Sequence, residues 1–286
     1  MSPLHEKTPA TGPVIGVFDS GFGGLTVLRA LVSRLPYASF SFIGDTARLP
    51  YGSKSRRTIA RYAVESAQFL VREQKAEFLV IACNTASALA LDAIQEAVPV
   101  PVLGVIEPGA AAAKTATRAN DVLVIATDAT VQSHAYAAAC NTLGLRALEK
   151  ACPLLVPLVE EGWTEHPVTD QVIRIYLDEL LKDAAAKGMH PDALVLGCTH
   201  YPLLRPLIER AVPNGMRVID SADSAADSAV QMITHRKASE ATADDNGPST
   251  TSIRCFATDS VEKFERLGSR FLGRPVGNVQ LVDLGG

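Results

Sequence analysis

No stretch of this chain holds ~20 consecutive apolar residues, so nothing in it reads as a membrane-spanning helix. Residues Met1 to Pro9 carry charges and prolines where a secretory signal needs an apolar segment, which makes the cytoplasm the expected location. Positive charge is not in excess. With 27 Lys and Arg against 31 Asp and Glu, the formal charge of -4 provides no field to hold nucleic acid or an anionic membrane. The five cysteines, Cys83, Cys140, Cys152, Cys198 and Cys255, are odd in number and show neither CxxC nor Cys/His metal spacing, which argues against a disulfide framework or a metal site. The Gly-x-Gly-x-x-Gly register and the Gly-Lys-Ser/Thr ending of phosphate loops are both missing, and no lysine sits in a pyridoxal-type setting. No cofactor is expected, and any chemistry falls to the side chains.

What the chain does have is an alternation of apolar runs and helical periodicity, the pattern of βα units and a largely parallel sheet. Strands are expected at Val14–Phe18, Ser39–Ile43, Phe78–Ala82, Val102–Val105, Val122–Ala126 and Ala193–Leu196. Helices are expected over Leu25–Leu35, Arg57–Gln74, Thr169–Ala186 and Val261–Phe271. The Ser-, Thr- and Asp-rich stretch from Ala238 to Ser252 reads as a mobile loop, and residues 1–12 as a disordered tail.

Two segments resemble each other. Phe78 to Thr85 and Ala193 to His200 are apolar runs that end on a cysteine followed by small polar residues. In open α/β sheets the ligand crevice lies beyond the carboxyl ends of the strands, so both thiols, Cys83 and Cys198, are expected to face a site. Asp19 precedes Cys83 by 64 residues and Asp128 precedes Cys198 by 70, each at the end of an earlier apolar run. That suggests a duplication, and two similar domains facing each other would bring both thiols into one cleft. Cys140, Cys152 and Cys255 lack such flanks and read as small buried hydrophobes.

Several polar groups accompany the pair. Asp19-Ser20-Gly21-Phe22-Gly23-Gly24 follows a strand and opens a helix, where glycines permit a tight turn and exposed N–H groups hold an anion; Asp19 itself can equally be a helix cap. Pro50-Tyr51-Gly52 is a turn able to present backbone donors and a phenol, or an ordinary surface turn. His200 lies two residues from Cys198, in reach to modify its proton affinity. Glu160 and Glu161 end an apolar run and read as a solvated loop or as a carboxylate near the site. Lys54, Arg56, Arg57 and Arg61 read as a solvated helix face. One thiol with a histidine suits covalent catalysis, whereas two thiols with different helpers suit proton removal from one face of a carbon and return to the other.

Val14–Leu28 with its DSGFGG loop, Ile43–Lys54, Leu79–Ala88, Gly104–Gly109, Val124–Tyr136 and Leu194–Leu204 together closely resemble the glutamate racemases of the cofactor-independent aspartate/glutamate racemase family. The resemblance runs from about Val14 to the chain's end, where Val279–Leu284 is similar to the family's closing strand. It implies an α/β fold of two similar domains, each a mostly parallel sheet flanked by helices, with the active site in the interdomain cleft. The expected division is 13–103 with 216–286, carrying Asp19 and Cys83, and 104–215, carrying Thr130 and Cys198. It further implies that Cys83 takes the α-proton of D-glutamate and Cys198 that of L-glutamate. Asp19 would assist Cys83, with His200 and Glu160 or its neighbour assisting Cys198. Substrate would be held by Asp19, Ser20, Pro50, Tyr51, Gly52, Asn84, Thr85, Thr127, Thr130, Thr199 and His200. A homodimer that takes glutamate and supplies D-glutamate for peptidoglycan is the implied setting. His134 stands where a smaller residue is expected. The alternatives are a racemase of aspartate or another amino acid, a non-catalytic carboxylate-binding module and, last, a thiol redox protein.

Overall fold

An apolar segment of four to six residues that is buried on both faces is stable only as a strand covered by helices on each side. Phe78–Ile81, Asp121–Ala126 and Ala193–Gly197 are such segments, buried at every position. The computed structural model describes residues 12–239 and 251–285. The expected tail at 1–12 and loop at 238–252 fall almost wholly outside the described residues.

The chain runs β1 (Val14–Asp19), α1 (Leu25–Arg34), β2 (Ser39–Gly44), α2 (Arg56–Arg72), β3 (Phe78–Ile81), α3 (Asn84–Leu89), α4 (Leu91–Ala97) and β4 (Val102–Gly104). It continues through α5 (Ile106–Ala116), β5 (Asp121–Ala126), α6 (Asp128–Ser133), α7 (Ala135–Thr142), β6 (Arg146–Ala151), α8 (Leu155–Glu160), α9 (Pro167–Ala186), β7 (Ala193–Gly197), α10 (Arg205–Ala211) and β8 (Arg217–Asp220). It closes with α11 (Ser221–Ser239), β9 (Ser252–Ala257), α12 (Val261–Leu272) and β10 (Val279–Leu281).

Two sheets result, both parallel throughout the described pairings. One has the order β10-β9-β2-β1-β3-β4 and the other β6-β5-β7-β8. The quartets β2-β1-β3-β4 and β6-β5-β7-β8 have the same winding, so the resemblance between the two cysteine segments reflects a repeat in the topology. β8 pairs with β7 in the second sheet, so the chain crosses back after Asp220 rather than at the expected 216. The run ending in Glu160 and Glu161 is α8 rather than a loop.

The sheets are joined by apolar contact. One buried cluster includes Leu28 and Phe264 beside the first sheet together with Leu155, Ile173 and Leu196 of the second. α1 and α12 contribute much of the first side, and α12 is an amphipathic helix stopped by Gly273 at φ 75. The strand ends also meet closely within the first sheet: a Cβ at Gly44 would lie 2.0 Å from the Gly21 carbonyl oxygen. The Gly21 backbone on one side and the fully buried Phe264 ring, 2.7 Å away, on the other leave little that can yield. Gly44→Ala is therefore expected to cost about 1–3 kcal/mol, the usual price of overpacking, seen as a lowered urea midpoint for the transition that exposes Tyr51; an unchanged midpoint would show that the loop yields freely.

Candidate active site

β1 ends on Asp19, which is buried to 1% exposure. Its Oδ2 accepts from the Gly21 N–H at 2.9 Å, while its Oδ1 has no hydrogen-bond partner among the described residues. Burial pushes the carboxyl above the usual range, opposed by the charge of His200 and by backbone N–H groups of the loop. The loop turns without left-handed backbone, since Gly21, Gly23 and Gly24 all have ordinary negative φ. Clearance is what they provide. A Cβ on Gly23 would stand 2.3 Å from Thr199 Oγ1 and 2.7 Å from His200 Nδ1, and one on Gly24 would stand 2.6 Å from Asp19 Cβ.

Cys83 follows β3 and caps α3. Its Sγ accepts from the Ala86 N–H at 3.4 Å and donates to Ser20 Oγ at 3.4 Å. Burial, then the charge of Asp19, raises its thiol to about 12. Cys198 follows β7 in the second sheet, and its Sγ lies 3.9 Å from His200 Nδ1. His200 Nε2 approaches Glu160 Oε1 at 3.4 Å, an ion-pair distance that leaves Nε2 without a formal hydrogen-bond partner. Burial disfavours the imidazolium, yet the closeness of Cys198 and Glu160 outweighs that and raises it to about 10. Glu160 is itself resisted by burial but held below the usual carboxylate range by His200 and Lys263. Glu161, the other acid considered, also lines the cavity, but the ion pairs to His200 and Lys263 are those of Glu160.

Between the thiols lies a cavity of about 420 Å³. Ser20, Pro50, Tyr51, Gly52, Cys83, Asn84, Thr85, Thr127, Glu160, Cys198, Thr199 and His200 line it. Asp19 and Thr130 stand behind the wall. Thr130 acts through its neighbours, since its hydroxyl lies 3.2 Å from that of Thr85 and 3.0 Å from that of Thr127. Tyr51 does not offer its phenol to the cavity as expected, because the hydroxyl donates to the buried Asp45 at 2.5 Å. The aspartate thereby pins the Pro50–Gly52 turn, whose Gly52 stands against Thr127 of the second unit.

Sequence reasoning assigned no role to Asp45, Tyr136 or Lys263, whereas Asp128, singled out as a strand-end acid, does line the cavity. Tyr136, wholly buried on α7, donates to Asn84 Oδ1 at 2.6 Å, and the amide's Nδ2 has no acceptor among the described residues. Its place in a resembling motif was the only signal for it. Lys263 lines the cavity from α12, where one charged residue on an amphipathic helix carries no signal. His134 lies outside the cavity, at φ 54 with its ring 3.1 Å from Glu149, so backbone conformation accounts for the smaller residue expected there. A second recess of about 580 Å³ has Glu107 as the sole ionisable group among its lining residues, which leaves it without a proton-transfer pair. Among the described residues there is no cluster of His, Cys, Asp and Glu able to hold a metal, and no helix long and apolar enough to cross a membrane.

Residues 15–229 match the family described as Asp/Glu/Hydantoin racemase. A glutamate racemase of Koribacter versatilis is 53% identical, over 96% of this chain and 98% of its own. Among solved structures, a glutamate racemase isoform of Bacillus anthracis superposes with a TM-score of 0.85 at 38% identity, covering 95% of this chain and 98% of its own. The Francisella tularensis glutamate racemase, solved in complex with D-glutamate, gives 0.84 at 35% identity over 96% of this chain and 98% of its own. Two parallel sheets, a cavity with a thiol after one strand of each, and these relationships over nearly the whole length establish that the chain belongs to the Asp/Glu/Hydantoin racemase family, alongside its glutamate racemases.

Proposed function

We propose that the protein interconverts L- and D-glutamate by proton transfer between Cys83 and Cys198 on opposite faces of the α-carbon. The observation that carries this reading is the pair of thiols opening on one cavity from two sheets, each with different helpers. The glutamate racemases to which the chain is similar, one of them complexed with D-glutamate, support the choice of substrate.

In the L-to-D direction Cys198, as thiolate, takes the α-proton and the C–H electron pair stays on carbon, delocalised toward the carboxylate. The Cys83 thiol then gives its proton to the opposite face, so Cys198 ends as thiol and Cys83 as thiolate. The D-to-L direction reverses each step. His200, backed by Glu160, exchanges a proton with Cys198, and Asp19 is near enough for its charge to act on Cys83. A thiol ordinarily titrates near ~8.5, so each partner needs such a neighbour to change state at neutral pH.

Binding follows from what the cavity leaves unpaired. Buried Asn84 Nδ2 is a donor awaiting an acceptor and buried Asp19 Oδ1 an acceptor awaiting a donor. A zwitterionic amino acid supplies a carboxylate for the amide in the cavity wall and a positive charge that favours ionisation of the aspartate behind it. Ser20, the Pro50–Gly52 turn, Thr85, Thr127, Thr130 and the Thr199–His200 segment complete the substrate cradle in this reading. We further propose that the enzyme works in the cytoplasm as a homodimer and supplies D-glutamate for peptidoglycan, with 13–103 and 216–286 as one domain and 104–215 as the other, adjusted for β8.

Following both enantiomers of glutamate and of aspartate by circular dichroism tests the assignment; turnover of aspartate alone would overturn the substrate, and no α-deuterium exchange with either would overturn the reaction. Cys83→Ser and Cys198→Ser are each expected to lower kcat by at least about 10³-fold, within the range lost with a general acid or base, while the far-ultraviolet spectrum is unchanged. Full activity in either variant would defeat the two-base reading. Tyr136→Phe frees the Asn84 amide to turn, and losing one such hydrogen bond is expected to raise KM up to about tenfold with a smaller effect on kcat. Because the free Cys83 thiol lies near 12, its alkylation by iodoacetamide should rise about tenfold per pH unit from pH 7 to 10, read by mass spectrometry of its peptide. A plateau below pH 9 would show that the thiol is not so raised.

A further inference from the structure

Lys263 is a charged group in the cavity wall that the mechanism above does not use. It sits near the start of α12, which packs on α1 and runs on to β10 of the first sheet. Its Nζ lies 3.1 Å from Glu160 Oε2, and Glu160 is the last residue of α8 in the second unit. The other carboxylate oxygen, Oε1, is the one that approaches His200 Nε2 at 3.4 Å. His200 in turn reaches Cys198 at 3.9 Å. A continuous chain of polar contacts thus runs from a lysine of one unit to the thiol of the other. The carboxylate takes one cation on each oxygen.

A lysine with 45% of its side chain exposed would ordinarily contribute little by pairing. Glu160 is not an ordinary partner. It ends a helix, where backbone carbonyls already carry partial negative charge, and Glu161 adds a second acid beside it. On the far side of His200 stands the buried carboxyl of Asp19, whose charge also acts on the imidazole. Lys263 is the cation facing Glu160 from the opposite unit. Without it, the partly exposed side chain of Glu160 is free to swing from His200 toward water.

We propose that Lys263 is a positioning residue: it anchors one oxygen of Glu160 so that the other faces His200, and thereby keeps the Cys198 side of the site assembled. The proposal rests on the racemase reading for its effect on turnover, although the Lys263–Glu160 contact does not. The same seam carries the aromatic contacts of His200 with Phe22 at 5.9 Å and Phe271 at 5.1 Å, both from the first unit. Those rings hold the imidazole's plane, while Lys263 acts on its counterion. Because lysine and glutamate belong to different units, the arrangement exists only while the units are held at this separation.

The test combines kinetics with carboxyl NMR titration of Glu160, its signal assigned by Glu160→Gln, in the wild type, Lys263→Met and Lys263→Arg. Methionine keeps the length of the side chain without its charge. Lys263→Met is expected to raise the Glu160 midpoint by about one pH unit, as loss of a nearby opposite charge does. It should also lower kcat about tenfold, with KM within about twofold and the acidic limb of kcat moved up in step. Lys263→Arg should restore both. An unmoved Glu160 midpoint in the methionine variant overturns the proposal, and so does a moved midpoint with kcat unchanged. If the wild type itself fails to racemise glutamate, the substrate reading falls, and the positioning claim then stands or falls on the midpoint alone.

Discussion

Everything in the site depends on one close approach. Two sheets can share a catalytic cavity only if their strand ends meet without bulk between them, and they meet where Gly23 faces Thr199 and His200 with no room for a Cβ. One methyl group there would lie against the imidazole and the threonine hydroxyl and would push apart the units that carry Cys83 and Cys198. The same economy recurs at Gly52 against Thr127 and at Gly44 against the Gly21 carbonyl. Gly23 and Gly52 are therefore conditions of assembly between the units, whereas glycines such as Gly144, Gly188 and Gly215, at positive φ with open space around them, serve turning. Packing at the seam is then secured by apolar contact of α1 and α12 with the second unit's core.

Closing the seam dries the site, and drying it sets the proton affinities. A thiol or carboxyl without water disfavours its anion, which raises Cys83 and Asp19 together. On the other side, a buried histidine would ordinarily lose its proton, but a thiol and a carboxylate within reach reverse that tendency. The halves of the repeat are alike in topology and opposite in electrostatics. A duplicated strand order supplied two equivalent places for a cysteine, and the two places have unlike neighbours, Asp19 and Ser20 at Cys83 and His200 with Glu160 at Cys198.

Much of this was legible in the sequence where burial is complete. β3, β5 and β7 are apolar on both faces, so an unbroken run betrays them, and the polar residues that follow such runs necessarily mark the crevice. The edges of the second sheet were not legible. β6 reads Arg-Ala-Leu-Glu-Lys-Ala and β8 Arg-Val-Ile-Asp, because a strand at the rim of a sheet is half exposed and need not be apolar. Short helices were lost for a related reason: α6 and α7 are split by His134 at positive φ, and α3 and α4 meet at Ala90, so none is long enough to show a period. Within the site, residues at strand ends could be found, whereas Tyr136 and Lys263 act by reaching across the fold. Contacts such as Tyr136 to Asn84, 52 residues apart, leave no pattern in a single sequence.

The inequality of the two sides has a limit set by thermodynamics. Enantiomers have equal free energy in water, so the equilibrium constant of racemisation is unity, and kcat/KM must be the same in both directions at every pH. No arrangement of Asp19, His200, Glu160 or Lys263 can favour one product. What the asymmetry does set is the resting state: burial and Asp19 keep Cys83 as the protonated partner, while His200 keeps a proton beside Cys198. In the proposed two-base reaction, such a free enzyme would be ready for the enantiomer whose proton Cys198 removes, and each turnover would leave it ready for the opposite one. The helpers thus matter most after the substrate has reacted, when the two protons must return to their starting places before the same enantiomer can be accepted again.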